Sequence, residues 1–328
     1  LKRTLVIFYL KRALAIFIIA LACVAPTLAQ TPRKPEEFLE RAVARQRSGD
    51  VAGALADADK ALQLQPKFAA AYFLRGKLKK GAGDVPGALA DFGRAAELNP
   101  NVALVHYEIG LIKLDGKDYD GAIADFDRAL AIQPGLAAIL NNRADAKRAK
   151  GDLDGALEDY TKAIENKSDL LADAYYGRGV IYQLKNEPAK AVADFDKAVE
   201  LNPQMSDAYY NRAVARTAAN DVEGAIADYG KVIVLSPQSA EAFYMRGDAR
   251  VTKGEVEAAL TDFDRAVELD PRMASAYASR GLARLRLGRD EEASKDFDRA
   301  LELNKDLKDW LAQSIRYVKY QREKKKEK

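Results

Sequence analysis

The sequence predicts an all-α fold, an α-solenoid of eight helix-turn-helix units closed by a C-terminal capping helix, and three observations predict it. Pro66, Pro100 and Pro134 stand 34 residues apart, as do Pro203, Pro237 and Pro271. A fixed period of this length marks a stack of supersecondary units that bury their apolar faces against one another. With each proline set as residue 32 of its unit, eight units run from Pro35 to Leu307. Small residues then recur in columns: Ala or Gly at residue 8 (Ala42, Gly76, Gly110, Ala144, Gly179, Ala213, Gly247, Gly281) and Ala at residue 20, from Ala54 to Ala293. An aromatic fills residue 24 in seven units, Phe92, Phe126, Tyr160, Phe195, Tyr229, Phe263 and Phe297, with Ala58 in the first. Small residues let two helix backbones approach closely, and a ring one turn away fills the space beside the crossing.

Ahead of the repeats, residues 1–29 read as an export leader. After Lys11 and Arg12 the stretch Ala13 to Ala25 carries no charge and no polar side chain, and Pro26-Thr27-Leu28-Ala29-Gln30 follows it. Thirteen residues of helix reach only about 20 Å at ~1.5 Å per residue, short of the roughly 30 Å hydrocarbon core. A basic start, a short apolar run and small residues at its end predict a secretory signal peptide cleaved after Ala29, with residues 30–34 as a linker. The expected location is the periplasm or the exterior. The alternative is an inner-membrane anchor over residues 5–25, which Lys11 and Arg12 interrupt. A lipidated Cys23 is disfavoured because Ala20 stands where such signals usually have a branched aliphatic residue.

Inside each unit, the first helix stops at residue 15. That residue is Gly or Asn in seven units (Gly49, Gly83, Gly151, Asn186, Asn220, Gly254, Gly288), the types that end a helix in the left-handed conformation. Lys117, beside Gly116, departs. The second helix carries Ala-x-x-Asp-Phe/Tyr-x-Arg/Lys-Ala-x-x-Leu at helical spacing and stops before proline. The fourth unit has Ser168 at the proline position, Asn166 in place of an aliphatic and one inserted residue, which predicts a looser joint before the fifth. Lys305 replaces the eighth proline. Beyond it Leu307, Trp310, Leu311, Ser314, Ile315 and Val318 recur three and four residues apart, so residues 308–328 are expected to form a capping helix and a basic tail.

This pattern resembles the tetratricopeptide repeat (TPR) family over residues 35–307: period 34, a small residue at 8, Ala at 20, an aromatic at 24, Ala at 27 in all but Val232, and proline at 32. The resemblance implies a right-handed superhelix whose first helices line a concave face with residues 2, 5, 9 and 12. Its matching residues are packing residues, so it speaks to fold more than to biochemical role.

Charge and residue counts narrow the function. Lys and Arg total 52 against 49 Asp and Glu, but residues 1–29 hold four bases and no acid, and Arg316 to Lys328 holds seven bases and two acids. The body from Gln30 to Ile315 is therefore net acidic, which argues against nucleic acid, since that needs a clustered basic face. With Cys23 and His106 the sole residues of their types, thiol, zinc and His-triad chemistries are hard to assemble. Carboxylates are periodic rather than paired once, no phosphate loop is present, and no cofactor is expected. Arg at residue 7 (Arg41, Arg75, Arg143, Arg178, Arg212, Arg246, Arg280) and Asp at residue 23 (Asp57 to Asp296) read as an ion-pair ladder that fixes helix packing.

Mapped onto the resemblance, residue 5 of the groove is Leu39, Phe73, Tyr107, Asn141, Tyr176, Tyr210, Tyr244 and Ala278. In three consecutive units an acid stands three residues earlier, Asp173, Asp207 and Glu241, which shares a helix face with the tyrosine. Phe73, Tyr107, Asn141, Asp173, Tyr176, Asp207, Tyr210, Glu241 and Tyr244 are the candidate groove residues. Rings with acceptors beside them suit an extended peptide or partner helix, basic or proline-containing. Against this stands a packing role for the rings and helix-dipole compensation for the acids. The expected function is a non-catalytic protein-interaction scaffold of the bacterial cell envelope. The alternative is a self-associating or membrane-tethered assembly factor, and the basic tail also suits a weak membrane or cell-wall contact.

Overall fold

The computed structural model describes residues 33–166 and 171–326. The leader, Cys23 and Ser168 lie outside them, as does the joint expected after the fourth repeat. The described residues form seventeen α-helices and one short 3-10 turn, with no strand. The chain divides into two compact bodies, ending and beginning at Leu170 and Leu171.

The N-terminal body holds four helical hairpins: α1 (Pro35–Ser48) with α2 (Val51–Leu64), α3 (Ala69–Gly81) with α4 (Val85–Leu98), α5 (Ala103–Asp115) with α6 (Tyr119–Ile132), and α7 (Ala137–Lys150) with α8 (Leu153–Glu165). The C-terminal body repeats the plan with α9 (Leu171–Leu184) and α10 (Pro188–Leu201), α11 (Ser206–Ala218) and α12 (Val222–Leu235), α13 (Ala240–Lys253) and α14 (Val256–Leu269), and α15 (Ala274–Arg286) and α16 (Asp290–Leu303). It ends in the turn Lys305–Leu307 and in α17 (Lys308–Lys326).

Each hairpin turn is set by two residues. Residue 15 takes a positive φ in every repeat, including Lys117 at 62°, Asn186 at 58° and Asn220 at 63°. Residue 16 then caps the second helix: the side chains of Asp50, Asp84, Asp118, Asp152 and Asp221 each accept a bond from a glycine N–H three residues on, at 2.8 to 3.0 Å. Glu187, Glu255 and Arg289 cap without such a bond, and there residue 19 is not glycine. Lys117 itself, not Gly116, adopts the left-handed conformation; Gly116 sits at φ −80°. For an L-residue that conformation costs roughly 1–2 kcal/mol, so Lys117→Gly is expected to stabilise the third repeat by about 1 kcal/mol. A higher urea midpoint checks it.

Packing between the two helices of a hairpin follows the columns. Phe92, Phe126, Phe195, Phe263 and Tyr229 are fully buried and Tyr160 nearly so. Where residue 8 is glycine, an added Cβ would stand 2.5 to 2.8 Å from the ring at residue 24, at Gly76, Gly110, Gly179, Gly247 and Gly281. These five repeats carry Phe; the two with Ala at residue 8 and a ring at 24, Ala144 and Ala213, carry Tyr160 and Tyr229. At the C-terminal end Leu311 and Val318 of α17 are buried against Ala278, Ala300, Leu285 and Ala293. Trp310 does not join that stripe as the spacing predicts. One residue before Leu311 it points about 100° away around the helix, and it is 48% exposed.

Candidate functional site

The charged columns form a structural ladder. In seven repeats the guanidinium at residue 7 reaches the carboxylate at residue 23 of the paired helix through two nitrogens, for example Arg75 Nε and Nη2 to Asp91 at 2.8 and 2.6 Å, and Arg143 to Asp159 at 2.8 and 2.6 Å. All eight of these aspartates are at most 5% exposed. Six of the seven arginines also lie over the ring at residue 4 of their own helix, 5.2 to 5.7 Å from its centroid. The third repeat has Ile109 at residue 7, and there Lys113 and Arg128 hold Asp125 at 2.6 and 2.7 Å.

Two further columns complete the ladder. Residue 11 is basic in seven repeats and also reaches the buried aspartate, as in Lys79 to Asp91 and Lys147 to Asp159, both 2.8 Å. Residue 25 is aspartate in the first, third, fifth, seventh and eighth repeats, and in the first four of these it receives the arginine of the next repeat: Asp59 from Arg75, Asp127 from Arg143, Asp196 from Arg212 and Asp264 from Arg280, at 2.6 to 2.8 Å. Gly93, Thr161 and Gly230 interrupt the series. At Asp91 burial raises the carboxyl, but hydrogen bonds from Arg75 and Lys79 prevail and hold it below the usual carboxylate range.

The residue 5 rings do two jobs. Each packs on the residue 24 ring of its own repeat, with centroids 5.6 Å apart for Phe73 and Phe92, 6.0 Å for Tyr107 and Phe126, 6.0 Å for Tyr176 and Phe195, 5.7 Å for Tyr210 and Tyr229, and 6.1 Å for Tyr244 and Phe263. In the N-terminal body this packing dominates: Phe73, Tyr107 and Asn141 are all buried. Tyr107 Oη accepts from Asn142 Nδ2 at 3.0 Å in the next repeat, while the Asn141 amide has no hydrogen-bond partner among the described residues. The C-terminal body places its candidate residues differently.

In the C-terminal body Tyr176, Tyr210 and Tyr244 are only half-buried, and Asp207 and Glu241 are exposed. Their hydrogen bonds run between repeats rather than along one helix. Tyr210 Oη donates to Glu241 of the following repeat at 2.7 Å, and Tyr176 Oη accepts from Asn211 Nδ2 at 3.2 Å. A recess of about 230 Å³ opens among Asp207, Tyr210, Ser239 and Glu241. Burial, and for Tyr210 the Glu241 carboxylate, push the Tyr210 and Tyr244 hydroxyls up from their ordinary value. Both stay protonated at neutral pH and offer a fixed polar edge rather than a proton-transfer group. His106 is half-buried and donates from Nε2 to the Pro100 carbonyl at 3.1 Å.

No described helix is long and apolar enough to cross a membrane. Models of the tetratricopeptide repeat match residues 73–137 and 244–307, 137–170, 172–205 and 207–239. Among solved structures the chain is similar to the C-terminal part of a TPR repeat-containing protein from Cytophaga hutchinsonii, 18% identical, over 74% of this chain and 98% of that one, with a TM-score of 0.61. It is similar to pilF of Pseudomonas aeruginosa, 17% identical over 63% and 94%, TM-score 0.57. YrrB, described as a TPR protein with an unusual peptide-binding site, is 23% identical over 56% and 95%, TM-score 0.50. At these identities the likeness speaks for the fold. A comparison with curated proteins returns no match.

Proposed function

We propose, from the premise that the chain belongs to the tetratricopeptide repeat family, that it is a non-catalytic protein-interaction scaffold that holds an extended basic peptide segment of its partner along α9, α11 and α13. One observation carries this reading: three successive first helices present half-exposed tyrosines whose inner faces are already locked on buried rings, with acids beside them. Such rings offer contact area with little conformational freedom left to lose. The acids add a negative track that favours lysine and arginine and speeds their encounter. The leader read in residues 1–29 would deliver this activity to the cell envelope, which fractionation of a C-terminally tagged chain tests.

Alanine at these tyrosines would also open the hairpin packing, so the binding test keeps the rings. The whole chain is titrated with a labelled peptide of alternating lysine and proline. Asp207→Asn with Glu241→Gln is expected to weaken binding about tenfold, with a shallower salt dependence and unchanged helix content. A wild-type chain that ignores the peptide, or variants that bind it equally, would overturn the reading.

A further inference from the structure

The register of α17 matches that of the first helices before it. The fifth repeat begins 35 residues after the fourth, at Ala172, where the proline is missing. The same step from Ala274, again across a missing proline, reaches Asp309. Counted from there, Leu311 and Val318 occupy residues 3 and 10. Both places are buried in every preceding first helix of the C-terminal body: Ala174 with Ile181, Ala208 with Ala215, Ala242 with Ala249 and Ala276 with Ala283. The aromatic side chains of α17 then fall on the groove columns: Trp310 on residue 2, Tyr317 on residue 9 and Tyr320 on residue 12. They are 48, 60 and 57% exposed. A helix serving as a cover alone would turn polar residues outward; this one turns three aromatics along the same line as Asp207, Tyr210 and Glu241.

Between α13, α15 and α17, Trp310 and Tyr317 bound a cleft of about 400 Å³, with Asp248 and Val251 on the facing wall and Leu282 and Arg286 on the floor. Asp248 stands on residue 9 of its repeat, accepts no side-chain hydrogen bond and joins no ion pair among the described residues. Its side chain reaches water yet has protein on several sides, and burial pushes its carboxyl up, with Arg286 opposing the shift. A carboxylate that Arg286 influences without forming an ion pair, beside two exposed rings, is the complement of a cation. Ring faces attract a lysine or arginine head, and the carboxylate adds a charge-assisted hydrogen bond.

We propose that α17 takes the place of a ninth first helix in the stack, and that its cleft receives a lysine or arginine side chain of the partner segment, stacked on Trp310 and Tyr317 and paired with Asp248. This rests on the peptide-binding reading above and extends its track by two repeats. Trp310 is the one tryptophan of the sequence, so its emission reports this cleft and nothing else. The whole chain is titrated with the lysine-proline peptide, followed at once by Trp310 fluorescence and by calorimetry. The expected result is a saturable change in Trp310 emission at the calorimetric midpoint, about tenfold weaker in Asp248→Asn and stronger in Arg286→Ala, which removes the opposing charge. A peptide with glutamine for lysine should leave the emission unchanged. Calorimetric binding with silent Trp310, or with no effect of Asp248→Asn, would leave the groove reading standing and overturn this one. Weaker binding in Arg286→Ala would assign the cleft to an anionic group instead. Concentration-dependent dimers lost in Trp310→Ala, seen by light scattering, would assign it to a second copy of the chain. No binding by either readout would overturn both readings.

Discussion

Asp91→Asn is expected to destabilise the second repeat by about 3–5 kcal/mol, the cost of leaving buried charges without their partner. The carboxylate is 3% exposed and is held by two arginine nitrogens and by Lys79 Nζ at 2.6 to 2.8 Å. The isosteric amide leaves no cavity, yet it turns N–H donors toward cations that can only donate. Its neighbour Asp59 provides the contrast. It meets the same Arg75 at 2.6 Å, but its side chain is 51% exposed, so Asp59→Asn should cost at most about 1 kcal/mol. The pH dependence carries the sign. The Asp91 carboxyl lies below its ordinary value in the folded chain, so its stabilisation is complete above the unfolded value and is lost as pH falls through the folded one. Urea midpoints of the wild type and Asp91→Asn should therefore lie far apart at neutral pH and converge in acid. A constant gap would mean that the loss comes from packing and not from charge.

How much of this was legible in the sequence depends on how many jobs a residue performs. Residues 8, 20, 24 and 27 have one, to let two helices meet, and repetition makes it readable without coordinates. The residue 7 and 23 ladder was readable for the same reason. Residue 11 was equally periodic, with Arg45, Lys79, Lys113, Lys147, Arg216, Arg250 and Arg284, but its partner is an aspartate already spoken for, so pairing by columns passes over it. Over the first seven repeats aspartate at residue 25 comes in every other one, a pattern that disappears when each repeat is compared with the next. At residue 5 the sequence could not separate packing from binding, because one tyrosine presents a face to its own hairpin and a hydroxyl to the next repeat. The acids three residues before Tyr210 and Tyr244 look like partners along a helix. Glu241 instead bonds Tyr210 across the repeat boundary, a contact that depends on how neighbouring helices are offset. By spacing Trp310 falls in the apolar stripe because it is adjacent to Leu311, and only the register of α17 shows that it faces the other way.

The second large effect tests whether glycine at residue 8 and phenylalanine at residue 24 act as one unit. Phe195 is fully buried, stacks near Tyr176 and has two ring atoms 2.7 and 2.9 Å from where a Cβ on Gly179 would stand. Phe195→Ala is expected to cost about 3–5 kcal/mol, from lost burial and the cavity left behind. Gly179→Ala gains up to about 1 kcal/mol in helix propensity, but its methyl must displace a ring with nowhere to go, so the net effect is a loss of about 1–3 kcal/mol. In the double variant the methyl meets no ring. The glycine substitution should then turn neutral or favourable, giving a coupling of about 1–3 kcal/mol, in the range found for residues in direct contact. In a repeat array each hairpin leans only on its neighbours, so the loss should first appear as faster amide exchange in α9 and α10 and as a lower urea midpoint. Additive losses in the double variant would show that Gly179 is there for a backbone reason and that the ring is accommodated independently of it.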